Sequence, residues 1–236
     1  MEKILIVGES LPTLEKALER LGMKVSNADS AEKLREEDFI STSVVYVTGA
    51  FLAKGKAAEE LIVEAIGLAR ENGAAVIFDP MLRAFSNAPE RRAAVNRIAA
   101  LADVFLPNAR EAAELSVISE DAERAADFFL EKGTKKVVVK LGKQGALYKS
   151  RVEKGVAPTF RADSVVDFSG AGDGFAAGLI SGICEEIPLG EAVVRANAVG
   201  SMQIQAQGED AGLPTKAELR EYMLTHRFVV DGCKEI

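Results

Sequence analysis

The sequence contains one histidine, two cysteines and no tryptophan in 236 residues. His226 is the only imidazole, so a histidine-based nucleophilic triad or a histidine-rich metal site has no material to work with. It stands in the polar stretch Thr225-His226-Arg227, where a solvated surface role is expected. Cys184 and Cys233 are far apart and form no CxxC pair, so both read as free thiols. No apolar run approaches the ~20 residues that span a bilayer. The first residues enter a strand-like run directly, leaving no room for a signal peptide, and a cytoplasmic location without a membrane partner is expected. Positive charge is scarce as well: 29 Lys+Arg against 36 Asp+Glu give a net charge of −7. Basic residues gather only in the pairs Arg91-Arg92 and Lys135-Lys136, so no nucleic-acid partner is expected. A small anion held by backbone amides and one or two basic side chains stays open.

What is present is a regular alternation of apolar strands and helical patterns in a chain that is 48% hydrophobic. Strands are expected at Lys3–Val7, 24–26, 44–48, 74–78, 103–106, Lys136–Lys140, Ala146–Ser150 and 156–160, the last two as a short meander. Helices are expected after residue 11, at 57–72, 89–101, 109–115, 121–132, after residue 170, and at 189–206 and 215–225. Apolar strands separated by helices predict a three-layer α/β/α sandwich with a mainly parallel central sheet. No internal repeat or proline-rich linker interrupts it, so 1–236 reads as a single domain. In such sheets functional groups gather at the carboxyl ends of the strands.

The most informative stretch is Asp167-Phe168-Ser169-Gly170-Ala171-Gly172-Asp173-Gly174. Glycine costs about 1 kcal/mol relative to alanine inside a helix, so glycines crowded at a helix start need a reason. Tight packing is one. The other is an anion pocket made of bare amides at the positive end of the helix dipole. Asp173 would then stand as a base beside a site built for negative charge, which is what phosphoryl transfer to a hydroxyl needs.

Three further segments follow strands. Asp79-Pro80-Met81-Leu82-Arg83 is either a plain turn or a way of aiming Arg83 into the cleft. Asn108 and Glu111 fit a helix capping box, or a site beside hydrated Mg2+ and phosphates, and the local pattern favours neither. Lys140-Leu141-Gly142-Lys143-Gln144-Gly145 is a hairpin entry or a phosphate contact. Common nucleotide motifs are absent. Residues 49–56 miss the P-loop spacing by one and place Ala57 where a hydroxyl belongs, and the loop at 8–12 lacks dinucleotide-type glycine spacing.

These pieces, in this order, resemble the ribokinase-like (PfkB) carbohydrate kinase family over about residues 43–225. The tail agrees too, through Asn197-Ala198-Val199-Gly200, Gly208 and Gly212-Leu213-Pro214-Thr215. The resemblance implies a ribokinase-like sandwich and an ATP-dependent kinase acting on a small sugar or sugar acid, with a lean toward the fructokinase and 2-keto-3-deoxygluconate kinase branch. It implies Asp173 as general base and the amides of Gly170, Ala171 and Gly172 as an anion hole. Asn108, Lys140, Gly142, Gly145 and Asn197 would face the nucleotide, and Glu111 would act through Mg2+ by way of water. Arg83 and Asp79 would face the acceptor, and Asp167 and Ser169 would hold a monovalent cation such as K+ by their carbonyls.

The sequence also departs from the family. Phe168 stands where a small or hydroxyl residue is usual, the Gly-Gly-Asn sugar motif is missing after the first strand, and no lid segment is visible. Any oligomer would therefore not form through a lid. Two alternatives follow: a lidless vitamin-kinase-like enzyme, or a nucleotide-binding sensor or partner protein without sugar kinase activity.

Overall fold

Strand-forming Val and Ile residues alternate faces with a period of two, and this periodicity builds the centre of the protein. A computed structural model of the chain describes residues 1–82, 89–119 and 121–229. Its strands are β1 Lys3–Val7, β2 Lys24–Ala28, β3 Thr42–Thr48, β4 Ala75–Asp79, β5 Val104–Phe105, β6 Lys136–Lys140, β7 Ala146–Ser150 and β8 Lys154–Ala157. Its helices are α1 Pro12–Arg20, α2 Glu36–Phe39, α3 Lys56–Glu71, α4 Pro89–Leu101, α5 Ala109–Ser116, α6 Ala122–Lys132, α7 Ala171–Cys184, α8 Leu189–Gln203 and α9 Lys216–Thr225.

The strands form one eight-stranded sheet in the order β2-β1-β3-β4-β5-β6-β7-β8. Pairing is parallel from β2 through β6 and antiparallel from β6 to β8. Leu5, Val45, Val76, Phe105 and Val137 face α3 to α6, while Ile4, Tyr46, Ile77, Val104 and Val138 face α1, α7, α8 and α9. This is the expected α/β/α sandwich, and the described residues contain no second sheet that would serve as a lid. None of the described helices is long and apolar enough to cross a membrane.

Five strands differ in their bounds from the sequence reading, β2, β3 and β4 by one or two residues, and at β5 and β8 the cause is local. β5 is only two residues long, because the chain turns at Pro107, which has no amide hydrogen for the ladder. β8 lies earlier than 156–160. Its register is set by Lys149↔Lys154 and Ala146↔Ala157, and Pro158 ends it. Phe160 pairs instead with Phe228 as an isolated antiparallel bridge. Helix α7 lies on α8 with almost no space between: a methyl on Gly178 would meet Ala196 Cα at 2.7 Å, and one on Gly182 would meet Ala192 Cβ at 2.5 Å. Close helix contact therefore accounts for part of the glycine content that the sequence displays after Asp173.

Candidate active site

The parallel strands point their carboxyl ends at the first turn of α7, and three side chains converge there. Tyr46, Asp79 and Lys140 lie on the face of the sheet that carries α7, each at or near the end of its strand. Lys140 Nζ is 2.7 Å from Asp79 Oδ2, and Tyr46 donates its hydroxyl hydrogen to the same oxygen at 3.2 Å. Asp79 is only 4% exposed, so this is a buried ion pair with an added neutral donor. Asp79, expected to face the acceptor, is thus held by Lys140 and Tyr46. The reason is register: β4 pairs with β3 through Thr48↔Asp79, which brings the Tyr46 hydroxyl within reach. Arg83, the other residue assigned to the acceptor, lies outside the described residues.

Asn108 and Glu111 form a capping box at the start of α5. Glu111 N donates to Asn108 Oδ1 at 2.9 Å, and Asn108 N donates to Glu111 Oε2 at 2.9 Å. Glu111 Oε1 also accepts from Leu82 N at 3.0 Å, so this buried carboxylate fastens the turn after β4 to α5. Burial, and then the nearby Asp79 carboxylate, raise its pKa above the ordinary glutamate value. Each Glu111 oxygen keeps a lone pair for a water.

Asp173 sits in the first turn of α7, part-buried. Its pKa is pushed up to about 6, first by burial and then by Asp79, with Lys140 pulling the other way. Among the described residues, the amides of Gly172 and Asp173 have no protein acceptor, and Gly174 N makes the first helical bond, to Gly170 O at 2.9 Å. The Ala171 amide is turned back onto Phe168 O at 3.3 Å. The open amides therefore run on to Asp173 itself, and the expected Ala171 contribution to an anion hole is corrected.

Gly170 caps this helix at φ +73°, and a methyl there would lie 1.9 Å from Glu209 O. Gly170→Ala is expected to cost more than about 2 kcal/mol, from left-handed strain and displacement of the loop that carries Glu209. Gly172→Ala, whose methyl meets nothing within 4 Å, is the control. Thermal melts of the two variants compare them, and a Gly170→Ala protein as stable as Gly172→Ala would contradict this account.

The remaining sequence candidates line the same edge. Gly142 opens a short 3-10 turn and has free space above it. Gly145, at φ +85°, lies so close to the end of β8 that a methyl would meet Ala157 O at 2.0 Å. Asn197 is buried, and its Nδ2 donates to the carbonyls of Ala157 at 2.9 Å and Pro158 at 3.1 Å. It braces the wall beside β8, the side on which the adenosine is expected. Of the two carbonyls expected to hold a monovalent cation, that of Ser169 accepts from Gln203 Nε2 at 3.0 Å, and the Asp167 carboxylate accepts from Ser169 N at Oδ1 at 2.9 Å.

Sequence reasoning missed Tyr46 and Gln203. Tyr46 is a polar-tipped residue in an otherwise apolar strand, which was an available signal, whereas Gln203 stands among Ser201, Gln205 and Gln207 and carries none. A surface cavity of about 480 Å³ lined by Tyr148, Glu153, Val194 and Met223 opens at the other end of α8 from Gln203 and takes no part in this site.

Among the described residues, no three acidic, histidine or cysteine side chains stand close enough together to ligate a metal directly. Yet Asp79 bears electrostatically on both Glu111 and Asp173, and Lys140 acts on both as well. Such a negative excess suits a hydrated divalent ion held through water, for which Glu111 has lone pairs to spare.

Known proteins share the sequence pattern and the fold. The chain is 38% identical over 188 residues to 2-dehydro-3-deoxygluconokinase of Bacillus subtilis (strain 168), covering 78% of this chain and 57% of that protein. The structure superimposes on fructokinase from Xylella fastidiosa with bound ATP at a TM-score of 0.81, with 16% identity, over 94% of this chain and 98% of the other. It superimposes on fructokinase from Vibrio cholerae O395 with fructose, ADP and calcium ion bound at a TM-score of 0.77, with 20% identity, over 94% and 99%. The chain spans 54–59% of the length of three curated relatives it matches. The sequence model of the pfkB family carbohydrate kinases matches residues 15–216, and the chain belongs to that family.

Proposed function

We propose that this chain transfers the γ-phosphoryl group of ATP to a hydroxyl of a small sugar or sugar acid. The observation that carries the reading is Asp173: a part-buried carboxylate whose pKa of about 6 suits a base near neutral pH, set beside open helix amides. Family membership supports it, and the relative named 2-dehydro-3-deoxygluconokinase favours a sugar acid as acceptor.

In this mechanism the acceptor hydroxyl lies against Asp173, which takes its proton as the oxygen attacks. The Gly172 and Asp173 amides, with the α7 dipole behind them, hold the negative charge of the group in transfer. Lys140, fixed by Asp79, sets a positive charge at the same edge without itself being free to move. Glu111 would hold a Mg2+ ion through its waters, and that ion would supply neutralisation of phosphate charge.

Turnover on a panel of 2-keto-3-deoxy sugar acids, ketohexoses, ribose and pyridoxal tests the reading. Phosphorylation of a sugar or sugar acid is the expected result, whereas pyridoxal as the sole acceptor would move the assignment to a vitamin kinase. A second reading, a nucleotide-binding partner protein without sugar kinase activity, is favoured by one observation. Phe168, next to the anion pocket, is 74% exposed, and the described residues include no lid to cover it. ATP binding by calorimetry with no acceptor phosphorylated would favour that reading, and no binding at millimolar ATP would remove both.

A further inference from the structure

Gln203 is the last residue of α8 and is wholly buried. Its Nε2 donates to two carbonyls from separate segments, Ser169 at 3.0 Å and Gly208 at 2.7 Å, while its Oε1 accepts from Gly212 N at 3.1 Å. Only this orientation of the amide satisfies all three partners. The reverse would set an oxygen against two carbonyl oxygens and an NH2 against an N–H.

One nitrogen therefore occupies the point on which the Ser169 and Gly208 oxygens converge. Carbonyl oxygens aimed at a single point are also how a protein replaces the hydration shell of a monovalent cation. Here the positive end is a neutral amide with one hydrogen for each oxygen.

Asp167 closes the bracket from the other side. Besides the Ser169 amide at Oδ1, its Oδ2 accepts from Gly208 N at 3.0 Å and Gln207 Nε2 at 3.1 Å. These bonds, led by those from the Ser169 and Gly208 amides, hold the Asp167 carboxyl below the usual aspartate range. Gly212 presses the closing loop onto the end of α8, where a methyl would meet Met202 O at 2.5 Å. A cation at this point would have to expel Gln203 Nε2 and leave a buried amide without acceptors, a costly state.

We infer that the Gln203 carboxamide stands in the place of the monovalent cation implied for Asp167 and Ser169, so that this chain orders its glycine loop without K+. The inference rests on family membership and on the loop geometry, not on which acceptor is phosphorylated.

Thermal melts of the wild-type protein in potassium, sodium and tetramethylammonium chloride at matched ionic strength test it without nucleotide or acceptor. The midpoints are expected to coincide, because a cation held at a hundredfold above its dissociation constant would raise the midpoint by about 5–10 °C in a chain of this size. A rise of that order specific to potassium overturns the inference. Gln203→Ala keeps both carbonyls and vacates the space between them, so its midpoint is expected to become potassium-responsive. A folded Gln203→Ala protein as indifferent to potassium as the wild type would overturn the claim that the amide fills a cation's place. Should that variant not fold, the wild-type series decides alone. A chain that proves to have no kinase activity still answers, since every readout is a melt.

Discussion

Asp173→Asn is expected to lower turnover by about 10²–10⁴-fold while leaving ATP affinity nearly unchanged, the usual scale for loss of a general base. Asparagine preserves the size of the side chain and the glycines around it, so the amides of the first turn of α7 stay open to phosphate. What disappears is a group able to take the proton from the acceptor hydroxyl. The same residue sets the pH dependence. Asp173 is a base only when ionised, and its pKa is about 6, so kcat/KM should fall as pH drops through that value. A profile flat down to pH ~4 would place the base elsewhere, since an unperturbed aspartate titrates near there.

Stability moves in the opposite direction. A carboxyl whose folded-state pKa is raised gives stability that is full below the unfolded value of 3.8 and is lost as pH rises through about 6. At pH 7 the ionised wild type therefore carries a cost that asparagine removes. Asp173→Asn should be more stable there by up to about 3 kcal/mol, less in practice because the group is partly solvated. The gain should vanish below pH ~4. Urea melts at the two pH values check this, and an inactive variant that is also destabilised at pH 7 would indicate a structural role for Asp173.

Lys140→Met is expected to destabilise the fold by about 3–5 kcal/mol, because it leaves the Asp79 carboxylate buried with only the Tyr46 hydroxyl as partner. Loss of the ammonium also removes an influence that lowers the Asp173 pKa, so any residual activity should show its acid limb at higher pH. Adding Asp79→Asn should recover most of the stability: asparagine still accepts from Tyr46 and brings no charge to bury. Activity is not expected to return with it, because the cation at the strand edge is still missing. Denaturant melts of the two single variants and the double variant close the cycle. A Lys140→Met protein of wild-type stability would show that the pair contributes nothing in the fold.

These effects differ in how far they could be read from residue order. The glycine-ringed Asp173, the capping box of Asn108 and Glu111 and the β-α alternation all depend on residues within a few positions of each other. Periodicity and caps expose such features directly. Local pattern could show that Asn108 and Glu111 satisfy each other, but not that Glu111 also takes the Leu82 amide 29 residues away. Residue order could not show whether the Ala171 amide stays open or turns back onto Phe168 O, because that depends on the path of the preceding loop.

By itself, the sequence determined the layered α/β architecture, the position of the glycine loop and the family. Each of these is written in apolar periodicity and in short motifs whose spacing is local. Tertiary structure alone decided which polar groups neutralise one another. Asp79 meets Lys140 across 61 residues, and Gln203 meets Ser169 across 34. Strand order and register set the first pairing, and the seating of α8 against the glycine loop sets the second. A buried charge or amide must find its partner wherever the folded backbone brings one, and residue order does not say where that will be.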